Sequence, residues 1–246
     1  MKKQVLFIFT TTLISFSGLW AKGISDKFRI SILATPGVSW TYPQGKDMRS
    51  AGAGFSATYG LGFDYFFSEN YAVSTGLFGG FEQGILEGRN AFDVRDPVSG
   101  NLLFAAPNEK YSFHNLDFPI YLKLRTNEFS RFRVFGQIGI RNAFTLASRG
   151  TFNAPIYNGT EPIEVIKENM STTDNPVNRV IGGFKSLWYD IKLSAGIGAE
   201  YFFNSRQSIQ FGVMYHNGFL NRIRDNDPEK DKVLMRNIEL LVGFTF

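Results

Sequence analysis

The chain has 246 residues, of which 43% are hydrophobic and 16% aromatic; it carries 26 Lys and Arg against 22 Asp and Glu, a formal charge of +4, and no Cys. The bases are scattered among acids of similar number, so the charge does not point to nucleic acid. The absence of Cys excludes a disulfide framework and a thiolate metal site. Twenty-six Phe and 25 Gly make the chain aromatic-rich and glycine-rich without low complexity, and the length suits one domain.

The chain opens on Met1, Lys2 and Lys3, followed by an apolar run over 5–16 and a small-residue exit near Ala21. This is the layout of a signal peptide, and the run is too short to be a spanning helix. Residues 1–21 are expected to be cleaved and 22–246 to form the folded domain. Cleavage after Gly23 is the alternative, because Leu19 is a poor specificity residue. Losing the segment removes Lys2 and Lys3 and lowers the formal charge to +2. No later stretch is apolar enough for a transmembrane helix, so membrane crossing would have to use strands.

Eight strands are predicted from period-two alternation. The first spans about 28–40. The second alternates Phe55, Ala57, Tyr59, Leu61, Phe63, Tyr65 and Phe67 with small or polar residues. The third carries Tyr71, Val73, Thr75, Leu77 and Phe81; the fourth carries Leu116, Phe118, Ile120, Leu122 and Leu124. Pro119 interrupts that fourth strand, and a bulge or local break is expected there because proline donates no ladder bond. The fifth strand holds Val134, Ile138 and Ile140, the sixth runs over 189–201, and the seventh holds Ile209, Phe211, Val213 and Tyr215. The last alternates Ile238, Leu240, Val242, Phe244 and Phe246 with Asn237, Glu239, Gly243 and Thr245.

Short connections at 68–70, 127–131 and 204–207 alternate with long ones at 42–53, 87–109, 148–186 and 218–232. Short turns on one side and long loops on the other are the plan of an outer-membrane barrel. A soluble lipocalin-type barrel also alternates, with its apolar face inside. The polar phase decides between them. Gly54, Ser56, Gly60, Gly62, Ser74, Gly76, Ser194, Gly196, Gly198 and Gly212 are small, which suits a crowded interior rather than a water-facing wall. Aromatics near strand ends (Tyr65, Phe67, Tyr71, Tyr201, Phe203 and Phe246) read as interface girdles. The expected fold is therefore all-β: an eight-stranded antiparallel up-and-down transmembrane β-barrel with long extracellular loops.

The terminal strand resembles the last strand of bacterial outer-membrane barrels, whose closing aromatic is read by the barrel-insertion machinery. That resemblance makes Phe246 the expected insertion signal, and loss of Phe246 is expected to lower the amount of inserted barrel. The segments FFSENYAVSTGL, NLDFPIYLKLRTNE, FGQIGI, HNGFL and NIELLVGFTF resemble the PorT-like outer-membrane barrels of Gram-negative bacteria, over residues 28–246. The most specific piece is Leu116-Asp117-Phe118-Pro119. The resemblance implies a porin-like barrel in contact with outer-membrane lipid and lipopolysaccharide. It also implies a role beside envelope or secretion proteins, although many relatives share only the barrel.

The predicted lumen holds the acids Asp64, Glu82, Asp117, Asp190, Glu200 and Glu239 and the bases Lys123, Arg125, Arg141 and Lys192. Charges in a low-dielectric wall must be paired, and an eight-strand barrel is just wide enough to be filled by its own side chains. A satisfied polar plug is the expected reading; a narrow ion path is the competing one. Ser112, His114, His216 and Asp225 are the pieces of an outer-rim acyltransferase or protease, but no local motif holds them. Rim histidines beside polar loops are the expectation, with no catalytic residue and no cofactor. Two histidines without Cys make a poor metal site. The run Asp225-Asn226-Asp227-Pro228-Glu229-Lys230-Asp231 lacks the turn glycine and the closing Glu of an EF-hand. The Gly182-Gly183 pair is not followed by a helix and reads as a hinge, not a phosphate cradle. Specificity is expected in loops 87–109 and 148–186, with Tyr111, Phe152, Tyr157 and Ile163 mixed with Asn, Pro and charge.

Overall fold

The computed structural model describes residues 27–44, 48–88, 92–95, 102–105, 108–158, 161–171, 185–204, 207–224 and 232–246. The expected signal peptide, the Gly182-Gly183 pair and the acidic run 225–231 lie outside them.

Thirteen strands are described, in chain order: β1 (Phe28–Pro43), β2 (Met48–Ser68), β3 (Tyr71–Gly88), β4 (Phe92–Arg95), β5 (Leu102–Ala105), β6 (Asn108–Arg125), β7 (Phe132–Asn158), β8 (Glu161–Ser171), β9 (Lys185–Ser186), β10 (Tyr189–Phe202), β11 (Ser208–Gly218), β12 (Ile223–Arg224) and β13 (Val233–Thr245). Eight of them form a ring in the order β1-β2-β3-β6-β7-β10-β11-β13, closed by β13 against β1. Every pairing is antiparallel, so the ring is an up-and-down barrel without free edges.

Burial follows the alternation, with the polar phase inside. In β1, Ser31, Thr35, Ser39 and Thr41 are buried, while Ile32 and Val38 are exposed. In β13, Asn237 and Glu239 are buried between exposed Ile238, Leu240 and Val242. Tyr59 is 69% exposed and its neighbour Thr58 4%. A soluble barrel would have the opposite polarity, so this wall is built to face lipid. A small apolar cluster (Phe135, Met214 and Leu241, with Leu33 and Tyr121 against it) lies inside, and Phe66, Phe113, Phe202 and Met235 are buried as well.

Aromatic pairs mark both ends of the apolar band. At the short-turn end Phe28 and Tyr65 lie 4.8 Å apart, Phe132 and Tyr201 4.8 Å, and Phe244 and Phe246 5.0 Å. At the long-loop end Phe144 meets Phe118, Tyr189 and Trp188 at 5.8, 5.2 and 5.9 Å. Among them the amphipathic rings of Tyr65, Tyr189, Tyr201 and Trp188 are of the kind that settles at a membrane interface.

Glycine lets the wall curl tightly around this narrow lumen. A Cβ on Gly139 would stand 2.1 Å from the Ile120 carbonyl oxygen and 2.8 Å from Tyr121 Cα. Both are backbone atoms of the neighbouring strand, which cannot yield without breaking the ladder. Gly139→Val is therefore expected to abolish the folded, heat-modifiable band on a gel, whereas substitution of the outward-facing Ile138 should leave it in place.

The local break expected at Pro119 is a gap in one ladder, without a bulge and without ending β6, which runs from Asn108 to Arg125. The β3–β6 ladder skips from Thr75↔Ile120 to Phe78↔Asp117 without changing register, and the Thr75 hydroxyl donates to the Pro119 carbonyl at 2.8 Å. The bulge lies instead at His114/Asn115, between β6 and β7. The connections expected as long loops are corrected in part: among the described residues they contain strand. Residues 48–53 belong to β2, β4 and β5 lie within 87–109, and β7 continues to Asn158 to form a hairpin with β8. The alternation there is masked by Gly, Pro and Asn, but the backbone keeps pairing because its polar groups need partners. About 9–11 residues cross a bilayer, so β7, with 27 residues, projects far beyond the membrane on the long-loop side.

Candidate functional site

The barrel positions every second side chain of eight strands toward one axis, and the ten predicted lumen residues all lie on that phase. Asp117 and Asp190 are 0% exposed, Lys192 1%, Glu82, Glu200 and Glu239 2%, Lys123 3% and Arg141 7%; Asp64 and Arg125 are half-buried. They form three layers along the axis.

The layer nearest the long loops centres on Glu82 of β3. Lys192 of β10 donates to its Oε2, and Asn115 donates to Oε1 at 3.0 Å. Arg222, which follows β11, turns back into the mouth and is fully buried. Its guanidinium donates to Glu82 Oε1 at 2.9 Å, Asn115 Oδ1 at 3.0 Å and Thr145 Oγ1 at 2.8 Å, and lies 4.4 Å from the Phe113 ring centroid. Asp190 faces Arg222 Nε at 3.9 Å. The short β9–β12 pair holds this segment in place.

The central layer is built on Arg141 of β7. Its Nε donates to Asp117 Oδ2 at 3.0 Å, and its Nη1 to both Glu239 oxygens at 3.2 Å. Thr35 and Thr58 donate to Glu239 Oε2 at 2.6 and 2.8 Å. His216 is 2% exposed beside this group, with Ser194 Oγ 2.7 Å from Nδ1 and Arg141 Nη1 3.3 Å from Nε2. Nε2 also lies 3.5 Å from Glu239 Oε2, so this nitrogen faces both a guanidinium donor and a carboxylate acceptor.

The layer nearest the short turns centres on Lys123 of β6. Its ammonium donates to Asp64 at 2.9 Å and Glu200 at 2.5 Å and lies 4.6 Å from the Phe135 ring centroid. Ser74 donates to Asp64 at 2.5 Å. Between the central and lower layers lies a cavity of about 60 Å³, lined in part by Thr58, Tyr121, Lys123, Arg141, His216 and Glu239. It has room for a few water molecules and is too small for a sizeable ligand.

Among the described residues, Ser112, His114 and His216 are not brought together. His114 is exposed on the outer wall, its ring 5.0 Å from Phe81. His216 is buried inside, so the expectation that it is a rim histidine is corrected: the β11 alternation carries it inward two residues before the strand ends. Ser112 lies between buried Tyr111 and Phe113, on the outward phase with His114, and Asp225 lies outside the described residues. Among the described residues no group of three or more His, Asp or Glu is placed to hold a metal ion. Phe246 pairs through its amide with the Ile30 carbonyl at 2.9 Å and packs on Phe244.

Sequence reasoning did not select Thr35, Thr58, Asn115, Asn237 or His216 as network members, although each lies on the polar phase of its strand and could have been found by following that phase. Arg222 carries no such signal, because it lies in a segment without alternation.

Residues 27–180 match the family model described as outer membrane protein beta-barrel domain. That is more than half of the chain, and the protein belongs to this family of outer-membrane β-barrels. Among solved structures it is similar to Neisserial surface protein A (11% identity over 91% of this chain and 98% of that one, TM-score 0.43). OprG from Pseudomonas aeruginosa is similar at 14% identity over 89% and 95%, TM-score 0.41. The outer-membrane protease OmpT from Escherichia coli is similar at 9% identity over 92% and 99%, TM-score 0.39. No curated protein matches the chain.

Proposed function

We propose that this outer-membrane barrel is a non-catalytic, non-conducting, PorT-like protein whose projecting strands contact other envelope proteins, as an accessory of protein secretion or envelope assembly. The observation that carries the reading is the filled lumen: three layers of paired charge cross it, and Arg222 is buried in its outer mouth. A barrel closed in this way offers its outer surfaces for function rather than its interior. Among the described residues, the extension of β7 with β8 is the longest such projection. Lipid and lipopolysaccharide surround the wall, and the barrel-insertion machinery would handle its assembly.

Planar-bilayer recording separates this from a small pore or ligand-binding porin. The filled barrel is expected to show no stable open channel. Steady conductance that disappears on changing Lys192 or Glu200 would establish the pore instead. Affinity isolation from intact envelopes should recover a partner with the full chain and lose it when 151–171 is deleted. If removing the protein altered neither protein export nor the recovery of any envelope partner, the accessory role would fail. If His114→Ala or His216→Ala abolished a lipid or peptide hydrolysis by the pure protein, an enzyme would replace it.

A further inference from the structure

Three guanidiniums stand in a row across the short-turn mouth of the lumen. Arg125 of β6 lies 3.8 Å from the Phe66 ring centroid; Arg29 of β1 lies 5.3 Å from that ring and 5.0 Å from Phe202; Arg133 of β7 lies 5.1 Å from Phe202. In the ring, β1 is separated from β6 by two strands and from β7 by three, so the row bridges the opening. The buried faces of Phe66 and Phe202 hold the like charges together.

The nearby acids leave this row short of partners. Asp64 and Glu200, one layer inward, are both bonded to Lys123. Arg29 reaches Glu200 only at 3.8 Å. Arg133 meets Glu128 of the exposed turn at 3.2 Å, and Arg125 Nε donates to the Glu69 carbonyl at 2.8 Å. Four cations thus face three carboxylates. Arg29 Nη1, Arg125 Nη1 and Arg133 Nε, each shielded from solvent, have no hydrogen-bond partner among the described residues, and neither has Glu200 Oε2, which faces Arg29 Nη1. Arg29 and Arg133 keep 14% and 22% of their side-chain surface open.

The open edges of the Arg29 and Arg133 guanidiniums match the paired oxygens of a carboxylate or phosphate. We propose that the periplasmic mouth of this barrel is an oxyanion site, in which Arg29, Arg125 and Arg133 take a carboxylate or phosphate group presented from the periplasm. The Lys123 layer blocks deeper entry, so the group rests at the mouth and does not pass. The site stands independently of the accessory reading above.

The test is isothermal titration of the full-length folded protein in detergent micelles at constant ionic strength. One probe is inorganic phosphate; the other is a short peptide with a free terminal carboxylate, with its amidated form as control. Saturable binding of phosphate alone identifies a phosphoryl ligand, and binding of the free but not the amidated peptide identifies a carboxylate ligand. Arg125→Gln with Arg133→Gln should weaken the binding at least about tenfold, the scale of one lost charge-assisted bond. Glu128→Gln frees Arg133 and should tighten it severalfold, a gain that misfolding cannot produce. Heat-shifted migration on a gel confirms that each variant is folded. Absence of saturable binding of both probes, or equal affinity in the wild type and both variants, overturns the proposal.

Discussion

Arg141→Leu is expected to cost the barrel about 3–5 kcal/mol, the scale of a buried ion pair stripped of one partner. Arg141 is the only cation bonded to Asp117, and it also holds both Glu239 oxygens, among the described residues. Both carboxylates are almost wholly buried, so removing the guanidinium leaves charge in a low-dielectric interior without compensation. Urea unfolding in lipid vesicles should show a large fall in the transition midpoint. Adding Asp117→Asn and Glu239→Gln should recover most of the loss, because neutral amides do not need the cation. An unchanged midpoint in Arg141→Leu, or no recovery in the triple variant, would mean that the central layer does not support the fold.

Arg222→Ala should release the segment after β11 while the barrel stays closed beneath it. The guanidinium makes three hydrogen bonds to Glu82, Asn115 and Thr145 and packs on Phe113. A bond to a charged group contributes about 1.5–3 kcal/mol, and each 1.4 kcal/mol is tenfold in an equilibrium. Cleavage within 219–224 by proteinase K in the folded protein should therefore accelerate at least about tenfold. Exchange of the Leu187 amide, which donates to the Arg222 carbonyl at 3.2 Å, should accelerate with it. The heat-modifiable band should persist, since the central layer does not involve Arg222. Equal cleavage rates in the variant and the wild type would show that the segment is held elsewhere.

The amino-acid sequence by itself determined the eight ring strands, the alternation of short turns with longer connections, and which phase faces inward. Period two assigns each residue to one of two faces, and the small residues of the polar phase, with Phe and Leu opposite, leave one consistent assignment. This is why Glu82, Arg141, Lys192 and Glu239 could be placed in the lumen from sequence alone. Alternation does not encode height along the axis or the neighbour across the ring. Only the tertiary structure decided that Arg141 meets Asp117 and Glu239, that Lys123 meets Asp64 and Glu200, and that a cavity separates those layers. Register is set by ladder pairing between strands remote in sequence, and the lumen contacts follow from the stagger that closes the ring. The same holds for Pro119, whose missing donor is absorbed by a gap in one ladder. It holds for Arg222 too, which is brought into the mouth by the β9–β12 pair and the buried carboxylate of Glu82, partners that no local pattern announces.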